Sequence, residues 1–462
     1  GKKSVSVSDI STPINIRLEP EAFRLKEVAV KAERIREQGD TITYNVGSFA
    51  QTQDRSIGDV LKHMPGIDVA KSGKIQYQGT DINKFYIEGS DLLGGRYGIA
   101  TNGISHEDVG AVEVMENHQP MQMLSGISFS DKAAINLKLK KKAKATWTLH
   151  GNAGGGYSWQ PEEGLWESET FAMAVMPSFQ NITTVKTNNT GDDLTAHVSD
   201  FFGGRRQTGL RHNVDITLPG VPSLDAKRTL FNRSFLASTN SLWKLKNGEF
   251  KTQIDYAFNR ISARAANVTT YFLSNNNRVI TEQRDGTDRT HSLSAKFIYE
   301  KNLKTTFLNN TLQTDIDWDN IRLGVTGSLP NTQTASLPDY YVRNTFKLIR
   351  RLRDRHLITF ESRNEWESLP QTLNTVTDGI SMRQHIGDHA FFTDENAAYA
   401  LSVKGITISL TGGLKGYVRS MHSGLSGNSM TYGSFENAVN TNYFTIYATP
   451  KLEYWIRRVN IN

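Results

Sequence analysis

The chain has 462 residues, 53 Lys and Arg against 47 Asp and Glu for a formal charge of +6, and no cysteine. This excludes a disulfide scaffold and thiolate-based zinc, iron–sulfur or nucleophile chemistry, and a modest positive balance without a lysine-rich tail or basic helix offers nucleic acid no docking face. A mean hydropathy of −0.46, with no apolar run approaching about 18 residues, excludes transmembrane helices but not a membrane barrel, whose strands alternate.

The opening Gly1-Lys2-Lys3-Ser4-Val5-Ser6-Val7 lacks the continuous apolar core of a signal peptide. Residues 1–24 alternate weakly through Val5, Val7, Ile14, Ile16 and Leu18, and are expected to be the last strands of a small β domain. An extended segment follows within a linker assigned to 25–39, which Gly39-Asp40 punctuates. From 40 to 142 the pattern is mixed. A short helix is expected over 57–64, stopped by Pro65-Gly66, then strands near 75–78 and 85–88 and a last pair near 111–115 and 135–140.

From 143 to 462 the period is two. Trp147, Leu149, Gly151, Ala153, Gly155 and Tyr157 share one face of the first strand, and Thr148, His150 and Asn152 share the other. Trp147 and Tyr157 lie about 33 Å apart along such a strand, or about 25 Å in height at a barrel tilt, which matches an outer-membrane barrel's apolar band. The same parity puts Phe250, Ile254, Tyr256 and Phe258 on one face. It also sets Leu312, Ile316 and Trp318 opposite Gln313, Asp315, Asp317 and Asp319. Turn signals recur at Asn247-Gly248, Lys301-Asn302, Asp354, Lys404-Gly405 and Arg457-Arg458. Each interval is expected to hold two strands and one long polar loop. The fold class expected is mainly β: a small α/β plug domain, then the first part, about twelve strands, of an antiparallel transmembrane β-barrel. The chain is expected to be truncated at both ends.

Five pieces in register carry a resemblance. They are Ile57-Gly58-Asp59-Val60-Leu61 with Met64-Pro65-Gly66-Ile67-Asp68-Val69; residues 75–79; Phe85-Tyr86-Ile87-Glu88-Gly89; Val112-Glu113-Val114; and Ala133-Ala134-Ile135-Asn136-Leu137-Lys138-Leu139. In that order they resemble the plug of TonB-dependent outer-membrane receptors, particularly the Bacteroidetes type that carries a carboxypeptidase-like regulatory domain ahead of the plug. The family commonly has Arg-Gly where this chain has Gln78-Gly79, Asp-Gly where it has Glu88-Gly89, and Arg-Gly-Pro where it has Met115-Glu116-Asn117-His118-Gln119-Pro120.

The resemblance implies a complete barrel of about 22 strands, of which this chain would supply the plug and half the wall. It implies a protein of the bacterial outer membrane that imports a nutrient (glycan, siderophore or peptide), with no enzyme activity and no cofactor. The partners it implies are the TonB complex, the nutrient, outer-membrane lipid and a surface lipoprotein. Lys26, Glu27, Val28, Ala29 and Val30 would be the TonB box, since they are extended, proline-free and precede the plug; a plain interdomain linker stays equally open. Asn83, Asp91, Arg96, Tyr97 and His118, between plug strands and near Gly94-Gly95 and Gly98, are the ligand-facing candidates. Each one singly is better read as holding the plug to the wall.

Other constellations carry less. Asp315-x-Asp317-x-Asp319 opens like a calcium loop but lacks its glycine and terminal glutamate, so lining of a water-filled lumen is the better reading. Gly151 with Gly154-Gly155-Gly156 follows a strand with no helix behind it and is expected to let the strand sit close to the plug. Lys244, Lys246, Lys301, Lys304, Arg350, Arg351, Arg353, Arg355, Lys404, Arg457 and Arg458 gather near the short-turn rim, as ordinary turn charge or as a contact for anionic lipid. A plugged barrel used for signalling or secretion, or a secreted β-rich adhesin, are the rival readings.

Overall fold

The computed structural model describes residues 33–124, 130–159, 162–273, 276–353, 355–403, 406–428 and 435–454. Residues 1–24, expected to be the end of a β domain, and residues 26–30, the TonB-box candidate, lie outside them.

The first unit is built on a five-stranded sheet in the order β1-β2-β7-β8-β6, from β1 (Ile35–Gln38), β2 (Thr41–Asn45), β6 (Lys84–Ile87), β7 (Val109–Met115) and β8 (Ala134–Leu139). Its sheet therefore starts five residues before the boundary expected at 40. Gly39, at φ 59°, reverses the chain so that Ile35–Gln38 pairs antiparallel with Thr41–Asn45 instead of continuing as a linker. β8 lies between antiparallel β7 and parallel β6, which is why Ala134, Ile135, Leu137 and Leu139 are all buried. A smaller sheet of β3 (Ile67–Val69), β4 (Ile75–Tyr77) and β5 (Thr80–Asp81) completes the strands.

Helix α1 (Ile57–Leu61) is shorter than expected and starts where its chemistry dictates: Ser56 Oγ accepts from the Asp59 N–H at 3.3 Å while Asp59 accepts from the Ser56 N–H at 3.1 Å. Its Ile57, Val60 and Leu61 are fully buried. Helix α2 (Gly98–Gly103) packs across it.

The second unit is one antiparallel sheet of twelve strands in chain order. They are β9 (Trp147–Trp159), β10 (Glu162–Val175), β11 (Phe179–Asn188), β12 (Phe231–Leu245), β13 (Gly248–Tyr271), β14 (Arg278–Asn302), β15 (Thr306–Gly327), β16 (Asn331–Arg353), β17 (His356–Thr377), β18 (Ile380–Val403), β19 (Ile406–Gly427) and β20 (Phe435–Tyr454). The expected count of strands is met. β9 and β20 are the two edges and do not pair with each other among the described residues.

The long polar loops expected on one rim are mostly absent from it. β13 to β19 run 22–25 residues each; β17 joins β18 through Asp378-Gly379 alone, and residues 328–330 join β15 to β16. Polar alternating sequence resembles a loop by composition, but cross-strand pairing satisfies its backbone as well as it does that of an apolar strand. Among the described residues one long connection remains, residues 189–230 between β11 and β12.

Parity assigns the faces. Gln253 and Asp255 of β13 and Ser294 and Lys296 of β14 bond to the small unit or the long loop, so odd positions of β13 and even ones of β14 form the inner face. The outer face carries Trp147, Leu149, Tyr157, Trp243, Ile254, Phe297, Leu312, Val342, Trp366 and Tyr399, all exposed. Two aromatic sets mark it. One lies near the short turns (Phe179, Trp243 and Phe250; Phe346 and Phe360; His356 and Tyr399), the other farther along (Phe235, Tyr256, Phe258 and His291; Trp318 and Tyr340). Phe250 and Phe258, on one strand, are separated by about 26 Å along it and about 20 Å in height at a tilt near 40°.

Candidate functional site

The inner face of the sheet is a polar bed for the small unit, and its contacts come from alternate residues of neighbouring strands. Gln180 donates to the Ile87 carbonyl at 3.1 Å and Gln253 to the Leu92 carbonyl at 3.2 Å. His150 meets buried Asp108 at 2.7 Å. Asn302 brackets the following loop, donating to the Pro120 carbonyl at 2.7 Å and accepting from the Gln122 N–H at 2.9 Å, and Arg351 donates to the Met123 carbonyl. On β10, β11 and β12 the bed also has an apolar part: Phe171, Met173, Val175, Ile182 and Leu242 join the small unit's own core. The small unit is thus fixed to the sheet both by burial and by directed hydrogen bonds.

At the centre lies a charged seam. Asp91 accepts from the Gly94 N–H at 2.8 Å and pairs with Lys84. Burial opposes ionisation of Asp91, but the Lys84 and Lys251 charges outweigh it and pull the carboxyl down to about 2. Burial likewise opposes the Lys84 charge, and Asp91 and Glu300 overcome it, so its pKa is raised. Arg96 reaches across to the wall, ion-pairing with buried Asp255 and donating to Ser294 at 2.6 Å. Lys296 meets Asp200 of the long loop at 2.5 Å; there too burial opposes the Asp200 charge and Lys296 wins, holding that carboxyl below its ordinary range.

Residues 189–230 fold inward, over the small unit and along the inner face. Phe201 and Phe202 pack on Tyr97 at ring-centroid distances of 5.0 and 5.6 Å, and the Phe201 N–H donates to the Gly95 carbonyl at 2.9 Å. Farther on, Arg206 meets Asp339 at 2.6 Å and Glu367 at 2.5 Å and covers the ring of Tyr341 at 4.2 Å. The Gln207 N–H donates to Glu365 at 2.6 Å, and Gln371 accepts from the N–H groups of Asn213 and Val214. Val214 and Ile216 then bury against Leu323, Val325, Ala335, Leu337 and Ile386. Glu365, Glu367 and Gln371 are almost fully buried, and each is satisfied by the loop.

Of the five expected ligand-facing residues, Asp91 and Arg96 belong to this seam. Tyr97, fully buried, stacks on Phe85 at 5.3 Å, and its hydroxyl accepts from the Ile75 N–H at 3.2 Å. Asn83 and His118 sit together elsewhere, toward the short turns: Asn83 donates to the His118 carbonyl at 2.7 Å, and the His118 ring is 2.9 Å from the Tyr86 hydroxyl. His118 lines a cleft with Lys84, Lys244 and Asn302. Burial, then the Lys84 charge, lowers the His118 pKa.

The wall partners Gln180, Gln253, Asp255 and Lys296, and the loop partners Arg206, Glu365, Glu367 and Gln371, were not foreseen. Their inner-face parity was readable, but not what lies opposite them. Asp315 sits on the inner face as expected and accepts from Ser294 at 2.6 Å. The glycines at 154–156 do not seat the small unit, contrary to expectation. A Cβ at Gly154 would meet nothing within 4 Å and one at Gly156 would meet only Leu165, because β9 reaches the small unit lower down, at His150.

No known family profile matches the chain, and no curated protein does. Among solved structures it is similar to the ferric yersiniabactin uptake receptor FyuA of Yersinia pestis: 10% identity over 90% of this chain and 79% of that one, TM-score 0.33. It is also similar to the ferric-catecholate import receptor Fiu of E. coli K12 (9%, 88% and 82%, 0.25). A third is the siderophore receptor PirA of Pseudomonas aeruginosa (11%, 90% and 87%, 0.24).

Proposed function

We propose that this chain forms the plug and part of the wall of a TonB-dependent transporter that imports a nutrient (a glycan, siderophore or peptide) across a bacterial outer membrane. One observation carries the reading: a mixed α/β unit is bonded to the polar inner face of a long antiparallel sheet whose outer face is apolar between two aromatic sets. A soluble sandwich buries an apolar inner face and wets the outer one, the reverse of this arrangement.

A plug bonded at this many points closes a pore until work is done on it. Residues 26–30, ahead of β1, are the proposed handle for the TonB complex by strand addition. In a membrane both edge strands, β9 and β20, have to be paired, because lipid offers the backbone no hydrogen bonds.

The test uses the full-length protein in cells. The unheated protein is expected in the outer-membrane fraction as a compact, heat-modifiable band, and deletion of residues 25–32 is expected to leave that band and abolish energy-dependent uptake. A soluble secreted product would refute the transporter.

A further inference from the structure

On the outer face of β13 to β17, just past the second aromatic set, lies a cavity of about 690 Å³ lined by Arg260, Arg289, Arg322, Asn320, Ser336 and Asn374, among others. Arg260 and Arg289 stand directly opposite each other across β13 and β14, and Arg289 is opposite Asn320 on β15, whose same-face neighbour is Arg322. Directly opposed like charges on a sheet repel. Among the described residues, no ion pair or hydrogen bond is made by any of the three guanidinium groups, and the Nε of Arg260 is buried without a partner. One carboxylate, Asp285, lines the cavity, and Arg264 holds it at 2.8 Å. Asp288 and Asp319 alternate to the inner face.

The height of the cluster is fixed by register. Arg260 follows Phe258 by one same-face step, Arg289 follows His291 and Asn320 follows Trp318 in the same way, a displacement of about 7 Å along each strand. Aromatic belts sit at headgroup level, so the arginines stand at the level of lipid phosphates.

We propose that Arg260, Arg289 and Arg322 bind the phosphate of a lipid headgroup in the leaflet on the side away from the short turns. Planar guanidinium groups take phosphate oxygens two at a time, while Asn320, Ser336 and Asn374 offer hydrogen bonds to the rest of the headgroup. The site rests on the membrane reading above.

The experiment uses the full-length protein reconstituted in phosphatidylcholine vesicles containing photoactivatable phosphatidic acid, with cross-links mapped by peptide. Cross-links are expected in peptides covering 285–289 and 320–336. The triple variant R260Q/R289Q/R322Q is expected to lose them roughly tenfold or more, since it removes every charged donor to the phosphate. The single variant R289Q, at an exposed position, is expected to lose them in part and guards against misfolding of the triple. Undiminished labelling of these peptides in a folded triple variant overturns the site. So does a rise in melting temperature from inorganic phosphate alone in detergent as large as the rise from phosphatidic acid, which would make the ligand a soluble anion. If the wild type shows no heat-modifiable band in the vesicles, the membrane reading itself has failed.

Discussion

Asp91 and Arg96 show how a polar residue can be both buried and stabilising. Asp91 loses hydration but gains Lys84 and the Gly94 N–H, so its folded pKa of about 2 lies below the ordinary value near 3.9. A depressed carboxyl stabilises the fold above its unfolded pKa and loses that contribution as pH falls through the folded one. The plug fold should therefore hold down to about pH 4 and weaken between about pH 4 and 2, read as hydrogen exchange of plug amides; D91N should remove this acid limb and be weaker at neutral pH. Glycine at 58 is a second residue-level constraint. A Cβ there would lie 2.8 Å from the Thr101 carbonyl oxygen and 2.9 Å from its methyl group, so α1 and α2 cross at glycine distance. G58A would gain at most about 1 kcal/mol of helix propensity against about 1–3 kcal/mol of overpacking. The expected net effect is earlier protease cleavage of the plug with the wall unaffected.

At the scale of elements, the connection 189–230 is the least expected feature. It is long and polar, as an outer loop should be, yet it carries Phe201 and Phe202 onto Tyr97 and Arg206 into a pair of wall carboxylates. Removing Arg206 leaves the buried Glu367 charge without its cation, which is costly, and Glu367 also holds Thr208. R206A should release the distal half of the loop, and F201A/F202A should free it from the plug. The expected readout of each is faster exchange of loop amides, with increased small-solute leakage through reconstituted protein only when both contacts are removed. Leakage unchanged in the combined variant would show that the plug alone seals the lumen. The hairpins follow a simpler rule: Gln78-Gly79 and Glu88-Gly89 both place a non-glycine residue at positive φ before a glycine. Glu88 offsets that strain by accepting from the Leu139 N–H at 2.6 Å and pairing with Lys144 at 2.9 Å.

For the whole molecule, what the sequence alone determined is whatever a period of two and a few local turn signals can encode: the switch from mixed to alternating pattern after residue 142, about twelve strands, the face each residue takes, and the order of the plug pieces. These are constraints between residues one to four apart, which the pleat and the turn impose wherever the strand ends up. Parity alone placed Asp315 on the inner face and Trp147 and Tyr157 on the outer one, and the structure agrees. It could not say that Asp255 meets Arg96, that Glu367 meets Arg206, or that Arg260 and Arg289 oppose each other, since these pairs depend on which strands become neighbours and in what register. The long loop shows the same limit from the other side. Its composition reads as solvated, and only the tertiary structure supplies the buried carboxylates and the aromatic plug surface that make folding inward more favourable than staying in water.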